Sequence, residues 1–428
     1  FIDKDCARID GDVPVELIDQ ETKFNDPIAA KIIREKNFNA ERNAFLNEAL
    51  LSADFEGYGK SGKNIGGRDM VPGHLKKAAK EARRAKNDNC IHLFDKQKKE
   101  FPVGLVDRVG GVLSKEGIAY CVVDRRTKPA VDIIPYLHNE WEKSLRDYQC
   151  EGAHLTDVTP RLLFDWATNS GKTLLMAKIF CLRRVKTLVL THSGHLAYQL
   201  RDAFRDYTGI EPTITAAGKV NLSPITIAVV NTAARHIADI VEYGFEQVMV
   251  DEAHKSAANS YVKVLKYINP YYIYGFTGTA FRHGTDNLVL EAVYGTVRPK
   301  VSNLEMIDQG YSCRVDVTFT EVDQSEECNK LDPYDMVYKD GIVESAPYNT
   351  AVVERIMHHT DKDRVVVVQV AQKKQGKLLW LTLSQLDVKT VLVDGDSQGK
   401  ENYNKLMRFK SGQYQVAIGT VINEGFDY

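Results

Sequence analysis

From Arg161 onward the hydrophobic positions fall into short β-branched runs separated by longer stretches with helical spacing. "RLLFDWA", "KTLVL", "PITIAVV", "QVMVDEA" and "YYIYGFTG" are apolar with little alternation, the pattern of strands buried on both faces. Between them, "GKTLLMAKIFCLRR" and "HLAYQLRDAFRDY" predict helices. Strand–helix alternation of this kind predicts a parallel sheet in an α/β layer fold. The rhythm breaks at 321–341, a polar, irregular stretch predicted as an insertion or linker. It resumes with "DRVVVVQVA", "KTVLVDGD" and "YQVAIGT", so two α/β domains are expected, at 145–305 and 306–428.

The first 126 residues differ. "LKKAAKEARRAK" (75–86) is a basic helical stretch carrying Lys76, Lys77, Lys80, Arg83 and Arg84, with Lys96, Lys98 and Lys99 further on. Residues 89–124 read as strand, turn, Pro-interrupted segment, helix and closing strand. A small α+β domain is expected at 1–126, with 127–144 as a linker.

Composition adds limits. The 428 residues carry a formal net charge of −2, so a nucleic-acid partner must be held by local patches rather than by a global field. No apolar run is long enough to span a bilayer, which argues against a membrane partner. No cleavable leader is visible, although the chain opens on Phe1 and its true start is expected to be missing. Seven cysteines lack C-x-x-C pairing, which favours a reducing, cytoplasmic setting over a disulfide framework.

The chemistry begins at "FDWATNSGKT" (164–173). A phosphate-binding loop aims successive backbone N–H groups and a helix N-terminus at phosphate oxygens, with a Lys for charge and a Ser or Thr hydroxyl for Mg²⁺. Thr168, Asn169, Ser170, Gly171, Lys172 and Thr173 supply such a loop, but Trp166 stands where the pattern has its first glycine. Asn169 tolerates positive φ and is a credible substitute for that glycine. A GKT tripeptide that merely caps a helix is the competing reading. "QVMVDEAH" (247–254) weighs against it: an apolar strand ends in Asp251, placed to hold Mg²⁺, and Glu252, placed to deprotonate a water.

Taken in order, GKT, "VDEAH", "YGFTGTAFR" (274–282) and "VAIGTVINEGFDY" (416–428) resemble the motifs of superfamily-2 helicases of the DEAD/DEAH-box type. The resemblance implies two RecA-like parallel-sheet domains clamping ATP and Mg²⁺ between them. It implies Gln149 as an adenine-reading residue, Lys172, Asp251 and Glu252 as catalytic groups, and Thr173 and Asp251 as metal ligands. His254, Thr277 and Thr279 would couple nucleotide state to movement. Asp427 would face the nucleotide, whereas Thr232 and Thr420 would face nucleic acid. "LVLTHSGHLAYQ" (188–199) and "VVVVQVAQKKQGKLL" (365–379) match the family more loosely. The arginine-finger motif that should follow the fifth motif is absent before Tyr428, so the second RecA-like domain is expected to be incomplete here.

Residues 89–124 are similar to the small N-terminal domain of the phage UvsW branch-migration helicases. That likeness implies an ATP-dependent motor acting on forked or Holliday-like DNA, in recombination and repair, with the basic stretch at 76–84 on duplex phosphates. A restriction-type DNA translocase and an RNA helicase share the motor motifs. A nucleotide-gated binding module with little turnover is the alternative of another class.

Overall fold

A computed structural model describes residues 2–3, 6–10, 13–25, 90–130, 145–257, 259–278, 286–296, 299–326, 328, 333–395, 397 and 399–420. The chain divides into two compact units, 1–127 with 280–297, and 128–279 with 298–428. The basic stretch holding Lys76, Lys77, Lys80, Arg83 and Arg84 lies outside the described residues, as do Thr279 and Asp427.

The second unit is built on the predicted alternation. Its elements are α1 (Asp147–Val158), β1 (Arg161–Trp166), α2 (Lys172–Arg183), β2 (Thr187–Thr191), α3 (Gly194–Thr208), β3 (Thr213–Thr215), β4 (Ile225–Val229), α4 (Val230–Arg235), α5 (Ile237–Tyr243), β5 (Gln247–Asp251), α6 (Asn259–Ile268), β6 (Tyr272–Thr277), β7 (Lys300–Val301) and α7 (Asn303–Asp308). The strands lie in the order β7-β1-β6-β5-β2-β4-β3, and every ladder is parallel. The strand order places β5 and β1 on either side of β6. Every residue of β1, β2 and β6 is buried, which explains why their sequences do not alternate.

Later come α8 (Tyr334–Tyr338), α9 (Ala346–Thr360), β8 (Val366–Gln369), α10 (Lys373–Gln385), β9 (Thr390–Val393), α11 (Gly399–Lys410) and β10 (Val416–Gly419). Strands β8, β10 and β9 form a three-stranded parallel sheet in that order. The architecture is α/β with parallel sheets, as the alternation implies. The stretch 321–341 is irregular as far as Glu326 and then turns helical at α8, running into one π-helical turn at Lys339–Val343.

In the first unit, Ile2–Asp3, Cys6–Arg8 and Glu100–Pro102 form an antiparallel sheet, and Lys23–Asn25 pairs with Cys90–His92. A 3₁₀ turn at Val103–Leu105 leads into the helix Val106–Lys115. Its core gathers Ile18, Phe94, Phe101, Leu105, Val109 and Leu113. Among the described residues, 118–123, where the closing strand is expected, join no ladder, and Asp124 takes part in a single bridge. The Tyr120 ring lies on Gly110 of the helix, where a Cβ would meet its hydroxyl at 2.2 Å.

The main core surrounds Phe164, which stacks on Phe276 at 5.0 Å and meets Trp166 edge-on at 5.4 Å. Trp166 in turn needs the bare backbone of Gly152 in α1, because a Cβ there would lie 2.8 Å from its indole. Alanine normally favours a helix over glycine by ~1 kcal/mol. Here Gly152→Ala should instead lower stability by ~1–3 kcal/mol, the usual cost of overpacking, as measured by urea denaturation. An unchanged or higher midpoint would contradict that packing.

Candidate nucleotide-binding site

The loop between β1 and α2 has the strain that phosphate cradles require. Trp166 is still the last residue of β1, 1% exposed, so the position that holds glycine in the familiar pattern is here part of the sheet. The turn comes later. Asn169 has φ 65°, and Gly171, which caps α2, has φ 77°. Both are left-handed, a region that asparagine and glycine enter at the least cost. Thr168 and Asn169 are exposed at the loop tip, whereas Gly171, Lys172 and Thr173 are half-buried. Ser170 is fully buried, and its hydroxyl has no hydrogen-bond partner.

Gln149 locks this loop from behind. It is 1% exposed; its Oε1 accepts from the Arg146 amide at 2.9 Å and its Nε2 donates to the Ser170 carbonyl at 2.9 Å. A Cβ on Gly171 would sit 2.3 Å from that Nε2, so glycine is demanded there by space as well as by φ. Two neighbours that sequence reasoning passed over share the task. The Tyr148 hydroxyl donates to the Ser170 carbonyl at 2.9 Å, and Arg146 Nη1 donates to the Asn169 carbonyl at 3.3 Å. The Arg146 guanidinium lies 3.7 Å from the centre of the Tyr311 ring. The signal was present in "LRDYQ", but a residue flanking a motif announces no role until the loop is folded against it.

Lys172 Nζ donates to the carbonyls of Trp166 at 3.2 Å and Ala167 at 3.1 Å. Its charge also reaches Asp251 and Glu252, lowering the affinity of both for protons. Those carboxylates follow one another at the end of β5 but are held differently. Asp251 is pushed up to about 7, first by desolvation and then by the Glu252 charge, against the pull of Lys172 and Lys255. Glu252, although burial opposes its charge, is held below the usual carboxylate range by its hydrogen bond to His254 and by Lys172 and His192. Glu252 has φ 52°, so the chain turns sharply at that residue. His254 Nδ1 lies 3.2 Å from the Glu252 carboxylate and 2.8 Å from the Thr277 hydroxyl. The backbone at Gly278 runs past the loop, where a Cβ would sit 3.5 Å from the Trp166 carbonyl oxygen and 3.6 Å from the Thr168 amide nitrogen.

The structure thus brings Gln149, the loop, Lys172, Asp251, Glu252, His254 and Thr277 to one edge of the seven-stranded sheet. Thr232 is 5% exposed in α4, and Thr420 is half-buried directly after β10. Among the described residues no group of three or more His, Cys, Asp or Glu side chains could hold a metal ion. The donors present, the Thr173 hydroxyl and the Asp251 carboxylate, suit a hard cation that takes its remaining oxygens from phosphate and water. With the orphaned Ser170 hydroxyl and the glycine-only cradle, they fit Mg²⁺ with a nucleoside triphosphate.

Residues 138–282 match the family model for the res subunit of type III restriction enzymes. Over 313 residues the chain is 23% identical to "Putative ATP-dependent helicase IRC3" of Saccharomyces cerevisiae, covering 66% of this chain and 45% of that protein. It is 26% identical over 153 residues to "DNA 3'-5' translocase XPB2" of Sulfurisphaera tokodaii, covering 36% of this chain and 34% of that one. The chain therefore spans less than half the length of these relatives. The crystal structure of the UvsW helicase from bacteriophage T4 superposes with a TM-score of 0.48 and 16% identity, over 70% of this chain and 98% of that one.

The Asp251 carboxyl binds its proton more tightly in the folded chain than in the unfolded one, where its pKa is ~3.9. Stability therefore falls as pH rises from ~4, where the unfolded carboxyl ionises, to about 7, where the folded one does, and the loss is complete above that. Asp251→Asn should raise the melting temperature of the nucleotide-free protein at pH 8 by roughly 3 °C or more. The gain should shrink towards pH 5. A difference that stays constant across that range, by scanning calorimetry, would count against a raised Asp251.

Proposed function

We infer that this chain, a superfamily-2 helicase by its ordered motifs and by the family match over 138–282, hydrolyses ATP to drive movement on DNA. The observation that carries this reading is the meeting of the strained 168–173 loop with Asp251 and Glu252 at one sheet edge, within reach of the charge of Lys172.

ATP with Mg²⁺ bound at the loop would supply the phosphoryl group to be transferred and the charge that balances it. The chain's residues do the remaining work. The amides of Asn169 and of Gly171 to Thr173, at the start of α2, would receive the phosphates, and Lys172 would exchange its two carbonyl partners for phosphate oxygens. Thr173 and Asp251 are the metal ligands of this proposal. Glu252, ionised near neutral pH, is in the protonation state a base needs to take a proton from water. With Nδ1 protonated, His254 orients that carboxylate and ties it to Thr277 at the end of β6. Thr277 and Thr279 then pass the change in the site towards the residues that grip nucleic acid, for which Thr232 and Thr420 are proposed. Gln149 and Asp427 complete the nucleotide contacts in this scheme.

The similarity to a DNA translocase supports DNA as the track. Branched DNA, with branch migration in recombination or repair, is the finer proposal. It rests on the likeness of residues 89–124 to the UvsW N-terminal domain, and it places the basic stretch at 76–84 on duplex arms. The proposed setting is the cytoplasm of a bacterium or phage-infected cell. Among the described residues no helix is long and apolar enough to cross a membrane.

ATPase assays across forked DNA, linear duplex, single strands and RNA test this. Forked DNA should stimulate most. Lys172→Ala should be inactive, and Glu252→Gln should bind nucleotide yet lose ~10²–10⁴ in turnover. Preference for RNA or for linear duplex would replace the substrate assignment by an RNA helicase or a restriction-type translocase. Tight junction binding without turnover would replace it by a nucleotide-gated binding module. Variants as active as the parent would end the motor reading.

A further inference from the structure

Helices α3 and α11 meet within the second unit, one packed on the seven-stranded sheet and the other on the three-stranded sheet. Their seam is short and closely fitted. Gly194 opens α3 and Gly399 opens α11, and the two backbones touch: a Cβ on Gly399 would lie 2.7 Å from Gly194 Cα. One turn further on, the Tyr198 and Tyr403 rings stack with their centroids 6.1 Å apart. The Tyr403 hydroxyl donates to Asp202 Oδ2. Within α3, Asp202 Oδ1 accepts from Arg201 Nη2 at 2.7 Å and from Arg205 Nη1 at 3.2 Å. Although burial opposes its charge, Asp202 is held below the usual carboxylate range by Tyr403, Arg201 and Arg205.

Such a seam is either whole or broken. A hydroxyl–carboxylate bond and a backbone contact at glycine are both lost within roughly 1–2 Å of displacement. The apolar cores on the two sides are separate clusters: Leu200 and Phe204 of α3 belong to one, Leu406 and Phe409 of α11 to the other. Parting the helices therefore leaves each core intact. A cavity of about 710 Å³, lined in part by Tyr198, Arg201, Lys219, Gly399 and Lys400, already lies alongside. The joint is thus carried by a few short-range contacts rather than by a shared core, which suits parts that exchange between two discrete placements.

We propose that Asp202 and Tyr403 form a latch that holds the two sheets in this arrangement and so limits turnover in the absence of DNA. This rests on the helicase reading above, in which the two α/β layers shift relative to one another in each cycle. The pair acts on position and not on the reacting atoms; it sets how readily the layers part.

The test uses the full-length protein with Tyr403→Phe, which keeps the ring and loses the hydroxyl, with Asp202→Asn, and with the two combined. Gly399→Ala, whose methyl group pushes the backbones apart, breaks the same seam without altering charge. Turnover with and without forked DNA, affinity for a nucleotide analogue and melting temperature are measured on each. Every single variant should raise unstimulated turnover several-fold, with DNA-stimulated turnover and nucleotide affinity within twofold of the parent. The combined variant should rise no further than Tyr403→Phe alone, since both changes remove the same bond. Should Gly399→Ala fail to fold, Tyr403→Phe, which removes a single oxygen, decides. Unstimulated turnover at or below the parental level in Tyr403→Phe, rates rising in equal proportion with and without DNA, or effects of Asp202→Asn and Tyr403→Phe that multiply, each overturn the proposal and leave the helicase reading intact. A parent whose turnover is no higher than that of Lys172→Ala overturns both.

Discussion

The constraint on which everything else depends is that the strands of the seven-stranded sheet all run the same way. Parallel ladders leave every strand's C-terminal end on one edge, so the turns after β1, β5 and β6 emerge side by side. Registers such as Asp251 with Phe276 and Thr277 with Asp165 fix the level at which each turn leaves the sheet. Residues distant in sequence are thereby made neighbours without any bond between them. Lys172 influences the charge on Asp251 and Glu252 because the sheet places them there.

On that edge the loop is held in a conformation that few residues tolerate. Two left-handed positions, Asn169 and Gly171, turn its amides. Hydrogen bonds from Gln149 and Tyr148 to the Ser170 carbonyl hold it from behind. These contacts occupy carbonyls and leave the amide side of the loop free of the clamp. A loop stiffened in this way loses little entropy when an anion arrives, which is the general benefit of preorganisation.

The two adjacent carboxylates show how environment separates like groups. Asp251 is desolvated and faces a second negative charge, so it keeps its proton up to about 7. Glu252 has a histidine at 3.2 Å and stays ionised at lower pH. This difference suits the proposed roles of Asp251 as a metal ligand and Glu252 as a base. The same neighbourhood ties Glu252 to Thr277 at the end of β6 through His254.

The apolar runs by themselves determined the parallel α/β alternation, because a strand covered on both faces has no polar side to show. They also determined the order of loop and acidic strand end, since backbone chemistry confines small, left-handed-tolerant residues to such loops. Asn169 as the loop's second left-handed residue was legible for that reason. Other features had no local signature. Trp166 is a strand residue rather than a loop residue because Gly152 makes room for its ring. Residues 118–123 look like a strand but are held by Tyr120 on a helix, since pairing depends on an available edge and not on propensity alone. Arg146 and Tyr148 became part of the site only when α1 packed beside the loop. The helix Asp286–Tyr294 follows β6 in sequence, but its Glu291 pairs with Arg108, 183 positions away. Local pattern decides which elements form, whereas contacts between distant segments decide where each side chain ends up and what charge it carries.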